Sequence, residues 1–314
     1  MSFICPIYET VNCDSFWIYQ WNCAICVIFW PWRKRETSRA AAKLGIGQPP
    51  LSQQIRDLEN EIGVMLFHRV PHGAELTAAG AAFLEEATAT IASSEKAKLA
   101  AQRAARGESG RLSLGFTASS AFNPIVSGAI RHFRAKWPEV ELFLTEMNTN
   151  LLIERLVRGE LDTAFIRPGL EDPANVRMKR LADEPMLVAL PSHHRLAVYE
   201  RLPLSALAGE PFVLFPRIVG LSLYDDIAAA CRMAGFEMNV TQEAPQMPSV
   251  VNLVAANLGV SIVPAAIAQI RLDGVTYRPI EGEPLVARLA LASMKSLRSP
   301  VHDNLISLLP RECI

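Results

Sequence analysis

The stretch GIGQPPLSQQIRDLE, residues 45–59, decides how the rest of the chain is read. Two adjacent prolines ordinarily end a helix, yet Leu51, Ile55, Leu58 and Ile62 recur at the spacing of one helical face. The conflict resolves if Pro49 and Pro50 occupy the first turn of a helix running from about Gln48 to Glu61. The first backbone N–H groups of a helix have no intrahelical acceptor, so proline loses no hydrogen bond there and its ring presets φ. The apolar residues then line one side, while Gln48, Ser52 and Arg56, flanked by Pro49 and Gln53, line another.

Upstream, Thr37 or Ser38 can cap a short helix through RAAAKL, and Gly45 to Gly47 form a turn. A short helix, a glycine turn and a helix with an uncharged polar N-terminal face follow the order of a helix-turn-helix, whose second helix enters the major groove of DNA. Gln and Ser can exchange hydrogen bonds with base edges and phosphates, and Arg56 can neutralise a phosphate. Periodicity alone favours an ordinary amphipathic helix in a bundle.

The longer string SRAAAKLGIGQPPLSQQIRDLENEIGVMLFHRVPHGAELTAAGAAFLEEA, residues 38–87, separates these alternatives. It closely resembles the DNA-binding domain of LysR-type transcriptional regulators, in the recognition helix QPPLSQQIRDLE, the continuation IGVMLFHR and the wing ending in LTAAG. The resemblance implies a winged helix-turn-helix over residues 37–76, with Gln48, Pro49, Pro50, Ser52 and Gln53 at the DNA face, Arg56 beside it, and Arg69 and His72 at the wing. For His72 a solvated turn position remains an equal alternative. A first helix before residue 37 is also implied, normally ending in a Ser-Phe pair; here Pro31 falls within it and Glu36-Thr37 replaces the pair.

Residues 1–36 read unlike the remainder. The first 32 contain no Lys or Arg and four of the five tryptophans, and FWIYQWNCAICVIFWPW, residues 16–32, is followed by Arg33, Lys34 and Arg35. As a membrane anchor this run is short and is interrupted by Gln20, Asn22 and Pro31. A cleavable secretory signal would place the basic residues before the apolar run. Against the family pattern this leader looks like the product of a displaced start or a frame change. Cys23 and Cys26 form a C-x-x-C without a second ligand pair, so no metal is expected.

A formal net charge of −1 over 314 residues provides no global attraction to nucleic acid, so DNA binding must come from a local patch. After Thr77, an alanine-rich helix reaches to about Arg106. Thirty residues make a rod of roughly 45 Å, longer than a compact domain needs. Phe83, Leu84, Ala87, Ile91 and Leu99 offer a seam for a second copy, and in the LysR family the helix at this place, residues 77–110, is the linker that pairs subunits.

From residue 111 the chain alternates between strands (RLSLGFT, EVELFLTEM, LDTAFIR, PMLVALP, PFVLFP, VSIVP, RLALAS) and helices at about 123–136, 150–158, 223–234 and 249–256. In such α/β sheets ligands sit beyond the carboxyl ends of strands, near helix N-termini. Thr117 to Ser120, Thr149, Arg167 and Pro216-Arg217 stand at those ends. Singly each fits a cap or surface residue; together they describe an anion pocket between two lobes.

The segments FTASSAFNPIV, RGELDTAFIRPG, EPMLVALPSHHRLA, EPFVLFPR and NLVAANLGVSIVPAA are similar to the effector domain of LysR-type regulators, most of all those of the benzoate and muconate, aromatic-catabolic group. The resemblance implies an α/β protein with an N-terminal all-α winged helix-turn-helix and a two-lobed, periplasmic-binding-protein-like (type 2) effector domain. Lobe I would hold residues 111–183 and 285–310 and lobe II 184–284, with crossings near Asp183 and Glu281. Ser119, Ser120, Thr149, Arg167, Phe215, Pro216 and Gln246 become the expected effector contacts, while His193 and His194 read as structural.

Three classes were open. A regulator accounts for both ends of the chain, a free solute-binding protein only for the two lobes, and no nucleophile elbow, phosphate loop, dinucleotide fingerprint or metal spacing supplies enzyme chemistry. The expectation is a cytoplasmic, cofactor-free LysR-type regulator of a catabolic operon, with a membrane-anchored form using residues 16–32 as the alternative. Its partners would be promoter DNA, a small carboxylate or aromatic acid, further copies in a homodimer or homotetramer, and RNA polymerase.

Overall fold

The computed structural model describes residues 48–70, 73–169 and 173–310, which fall into two compact units dividing at Ala100 and Ala101. The short helix, leader, C-x-x-C and membrane-anchor expectations on residues 1–47, and His72, lie outside the described residues. No helix of the described residues is long and apolar enough to cross a membrane.

The first unit contains α1 (Gln48–Ile62), a hairpin of β1 (Phe67–Val70) and β2 (Gly73–Leu76), and the start of α2 (Ala78–Ala105). Pro49 lies in the first turn of α1, where proline is tolerated. Leu58 and Leu66 are fully buried, with Ile62, Phe67 and Phe83 packed on them. Thr77 caps α2, accepting the Gly80 N–H at 2.9 Å and donating to Met65 O at 2.8 Å. The glycine of LTAAG has a steric cause: a Cβ on Gly80 would lie 2.1 Å from the Leu66 carbonyl oxygen. Helix and hairpin approach through that bare backbone.

The second unit has two lobes. Lobe I is a five-stranded sheet in the order β4-β3-β5-β13-β6. Its strands are β3 (Ser109–Phe116), β4 (Glu139–Glu146), β5 (Thr163–Ile166), β6 (Val176–Arg180) and β13 (Ala290–Met294). The first three are parallel, and β13 runs antiparallel between β5 and β6. Helices α3 (Ala118–Ala121), α4 (Pro124–Lys136), α5 (Thr149–Val157) and α8 (Pro300–Ser307) complete the lobe. Separate cores centred on Phe133 and Leu114, and on Leu152 and Ile166, cover it.

Lobe II is built on β7 (Glu184–Pro191), paired antiparallel with β10 (Ser261–Pro264), β11 (Val275–Pro279) and β12 (Val286–Ala287). The parallel pair β8 (Pro211–Leu214) and β9 (Asn239–Glu243) is connected through the Phe212–Val260 bridge. Helices α6 (Leu221–Met233) and α7 (Met247–Ala255) pack over one apolar core. The crossings between lobes are Leu181–Glu184 and Ala287–Leu289, joined where the Leu181 N–H donates to Leu289 O at 2.9 Å. The second crossing is therefore not near Glu281, whose N–H instead bonds Leu202 O inside lobe II. The last turn of α2 belongs with this unit: Asn304 Nδ2 donates to the carbonyls of Arg106 and Gly107 at 2.9 and 3.0 Å.

Candidate DNA-binding and effector sites

Pro49, Gln53, Arg56 and Asn60 form one exposed line along α1, at the i, i+4, i+7, i+11 spacing of a single helical face. Ser52 beside them is half-buried. Gln53 Nε2 donates to Asp57 Oδ1 at 2.8 Å and Arg56 Nε to Ser52 O at 3.2 Å, so both side chains lie along the helix, within reach of a partner. Arg69 is exposed on β1 opposite Ala74. The side chains of Gln48 and Pro50 lie outside the described set. Sequence reasoning passed over Asn60, which the same periodicity indicates, and Glu59, whose buried carboxylate accepts the N–H groups of Leu66 and Phe67 at 2.8 and 3.0 Å. Glu59 fixes the hairpin to α1; its position on the helix face signals burial, but its charge masks it.

In the second unit a cavity of about 230 Å³ opens between the lobes. From lobe I it is lined by Thr117, Ser119, Met147, Thr149 and Arg167, and from lobe II by Phe215, Gly220, Leu223 and Gln246. Four helix N-termini converge on it, those of α3, α5, α6 and α7. The lobe I ends are capped: Thr117 Oγ1 accepts the Ser120 N–H in a reciprocal capping box, and Asn148 accepts the Leu151 N–H. The lobe II ends, at Gly220 and Gln246, carry no side-chain cap. Their first-turn N–H groups, apart from Pro248, which has none, are available donors in a field favourable to an anion.

Five expected contacts, Ser119, Thr149, Arg167, Phe215 and Gln246, line this cavity. Ser120 and Pro216 are not among the lining residues. The hydroxyl of Ser120 is turned inward, donating to Thr117 O at 2.9 Å, and Pro216 is the residue before a 3-10 turn over Arg217–Val219. His194 fills a structural place, with Nδ1 accepting the Leu196 N–H at 3.3 Å.

Arg167 is buried and fully engaged. Nε donates to Ser119 Oγ at 3.3 Å, Nη1 to Ala287 O and Arg288 O at 3.2 and 3.3 Å, and Nη2 to Ser119 O and Glu184 Oε2 at 3.2 and 2.7 Å. Glu184 also accepts from Asn123 Nδ2 at 3.0 Å and from the Ala266 N–H at 2.6 Å. Burial pushes the Arg167 guanidinium below its ordinary value, against the pull of Glu184. A guanidinium starts so far above neutrality that it stays charged, paired and hydrogen-bonded. Ser222 Oγ, from lobe II, donates to Arg167 O at 3.1 Å. Sequence reasoning missed Glu184, Asn123 and Ser222.

A two-unit chain with a polar helix face beside a hairpin, and a two-lobed domain closing on a small cavity, has the form of a ligand-responsive DNA-binding protein. Residues 105–313 match the LysR substrate binding domain, and residues 32–81 match the bacterial regulatory helix-turn-helix protein, lysR family. The chain belongs to the LysR family of transcriptional regulators. It is similar to the HTH-type transcriptional regulator YnfL of Escherichia coli (strain K12), 39% identical over 267 residues that cover 85% of this chain and 90% of the relative. The HTH-type transcriptional regulator BudR of Raoultella terrigena is 37% identical over 265 residues, 84% of this chain and 91% of its own. Among solved structures, CbnR, a LysR family transcriptional regulator, superposes with a TM-score of 0.83 at 26% identity, covering 93% of this chain and 99% of that one.

Proposed function

We propose that α1 reads promoter DNA through Gln48, Pro49, Pro50, Ser52 and Gln53, with Arg56 and the wing residues Arg69 and His72 on phosphates. The exposed line of Pro49, Gln53 and Arg56 supports this assignment. Binding should weaken steeply with salt as counterions are released. Gln53→Ala should relax base preference by about 1–3 kcal/mol at one position, while Arg69→Ala weakens all sequences alike. Equal losses on specific and random DNA for both variants would overturn the division of roles.

The effector, on the same proposal, is a small organic acid of the benzoate or muconate kind. The convergence of four helix N-termini on one cavity carries this reading. The volume lies below the roughly 300 Å³ at which pockets for drug-sized ligands begin, so the ligand is small. Phe215, Leu223 and Met147 provide an apolar wall for its body, and the uncapped ends at Gly220 and Gln246, with the Ser119 and Thr149 hydroxyls, face its carboxylate. By binding one lobe arrangement better than another, the acid shifts their populations. In a homodimer or homotetramer paired through α2, that shift respaces the recognition helices and changes the bend of the promoter of a catabolic operon in the cytoplasm. Calorimetric titration with benzoate and muconate, alongside a gel assay of DNA bending, tests this; no heat from either acid rejects the ligand class.

A further inference from the structure

Among the described residues Arg167 is the single cation in the wall of the cavity, and the obvious role for it is to receive a carboxylate. Its geometry forbids that role. A guanidinium has five N–H donors, and the five acceptors on Ser119 Oγ and O, Ala287 O, Arg288 O and Glu184 Oε2 account for all of them. Its charge is met by Glu184, buried beside it. Glu184 is itself held by Asn123 from lobe I and by the Ala266 N–H from lobe II. One buried pair thus joins lobe I, both crossings and lobe II. A ligand carboxylate could reach the guanidinium only by breaking one of these bonds inside a low-dielectric site, where an unpaired charge is costly.

The bond to Ser119 has a second effect. Because Ser119 Oγ accepts the Arg167 Nε–H, the hydroxyl proton remains to be donated, and no described residue takes it. Ser119 lines the cavity, so that proton has a ligand acceptor available. We propose that Arg167 is a positioning residue: Glu184 holds Arg167, and Arg167 holds the Ser119 hydroxyl as a donor to an acceptor oxygen of the effector. The ligand must then carry a carboxylate or carbonyl oxygen at that point, and the discrimination of its charge falls to the uncapped N-termini of α6 and α7. This inference rests on the interlobe cavity being the effector site.

Two measurements on the full chain test it. The first needs no ligand. In protein labelled with 15N-arginine, hydrogen exchange at Arg167 Nε–H should be slowed at least about a hundredfold relative to the exposed Arg134, as for a buried, bonded donor. Ser119→Ala should accelerate it at least about tenfold, the size of one lost hydrogen bond to a charged group. Exchange as fast as that of Arg134, or unaffected by Ser119→Ala, overturns the coupling. The second uses benzoate and benzamide as probes, with calorimetry on the parent, Ser119→Ala, the double variant Arg167→Met/Glu184→Leu and the combination of all three. The double change removes both charges together, so neither is left buried alone, and a melting curve of each variant checks that it is folded before titration. Ser119→Ala and the double variant should each weaken benzoate about tenfold, and the triple variant no further, because both act through one hydroxyl. The benzoate-over-benzamide preference should survive in the double variant. Collapse of that preference would make Arg167 the carboxylate ligand and overturn the inference. If the parent binds neither probe, the benzoate-type effector falls, and the exchange measurement alone decides the role of Arg167.

Discussion

The lobe I and lobe II walls of the cavity both present helix N-termini, but in opposite states of saturation. On lobe I, Thr117 and Asn148 cap their helices, Ser120 is bonded inward and every donor of Arg167 is engaged. On lobe II, Gly220 and Gln246 leave their helices uncapped. A wall whose helix caps and cation are already bonded resists rearrangement and acts as a template, leaving only its Ser119 and Thr149 hydroxyls to a ligand; an uncapped wall keeps backbone donors that a ligand can satisfy. The difference teaches that proximity to a cavity does not make a polar residue a ligand. What counts is whether its hydrogen bonds are already made.

The largest effect expected from breaking this asymmetry is on stability. Glu184→Ala removes the partner of Arg167 and leaves a buried cation without a counter-charge, costing about 3–5 kcal/mol. Urea denaturation of the effector domain within the full chain measures it. Glu146→Ala, at an exposed carboxylate on the rim of the same cavity, should stay within about 0.5 kcal/mol. A loss of similar size for both would mean that the buried pair does not hold lobe I together.

Shape gives a smaller effect. A Cβ on Gly220 would sit 2.8 Å from Cε2 of Phe215, so Gly220→Ala must move the ring that forms the apolar wall. Overpacking of this kind costs about 1–3 kcal/mol and should reduce the room for a ligand. On lobe I, Gly128 lies within α4 with nothing near its Cβ position, and Gly128→Ala should stabilise by about 0.5–1 kcal/mol. Thermal melts of the two variants should therefore shift in opposite directions.

These contrasts mark what the sequence carried. The helices α1 and α2, the parallel strands of lobe I and the cavity residues Ser119 and Thr149 were legible because periodicity, or a strand end before a helix start, is a local signal, whereas Phe215 followed only from the resemblance to the family's effector domain. Strands β6 (VRMKR) and β9 (NVTQE) were not: edge strands carry charged and polar side chains, which erases the alternation by which strands are recognised. The crossing expected near Glu281 lies instead at Ala287–Leu289, because what fixes it, Leu181 N–H to Leu289 O, is a pairing over more than a hundred residues that no local signal carries. Glu184 reads locally as a solvated flank of EPMLVALP; only its bonds to Asn123, Arg167 and Ala266 reveal it as the centre of the hinge.

The capping contrast can be sharpened directly. Asn148→Ala removes an N-cap acceptor and should cost about 1 kcal/mol. Gln246→Ala removes no cap bond and should leave stability within about 0.5 kcal/mol, while altering the response to a ligand whose carboxylate sits at that helix end. Paired chemical denaturation curves and effector titrations separate the two kinds of residue. If Gln246→Ala destabilises as much as Asn148→Ala, the lobe II end is capped after all.

The smallest effect concerns acid. His302, on α8 of lobe I, is buried with Nε2 lacking a hydrogen-bond partner among the described residues and Nδ1 3.8 Å from Asp303 Oδ1. Burial holds its pKa below the ordinary histidine value, with Asp303 and Asp162 pulling upward and Arg177 adding to the depression. In the unfolded chain the imidazole protonates near pH 6.5, an approximate reference value, whereas the folded chain takes the proton only at lower pH. Between those values the unfolded state binds more protons, so stability rises with pH there and is lost as pH falls from about 6.5 toward the depressed value. Above that window the contribution is complete and constant. His302→Phe, which cannot protonate, should show a shallower loss of stability than the parent over this interval in urea titrations at stepped pH. Parallel curves for the two proteins would mean that His302 is accommodated as the cation, with a partner for Nε2 that burial alone does not reveal.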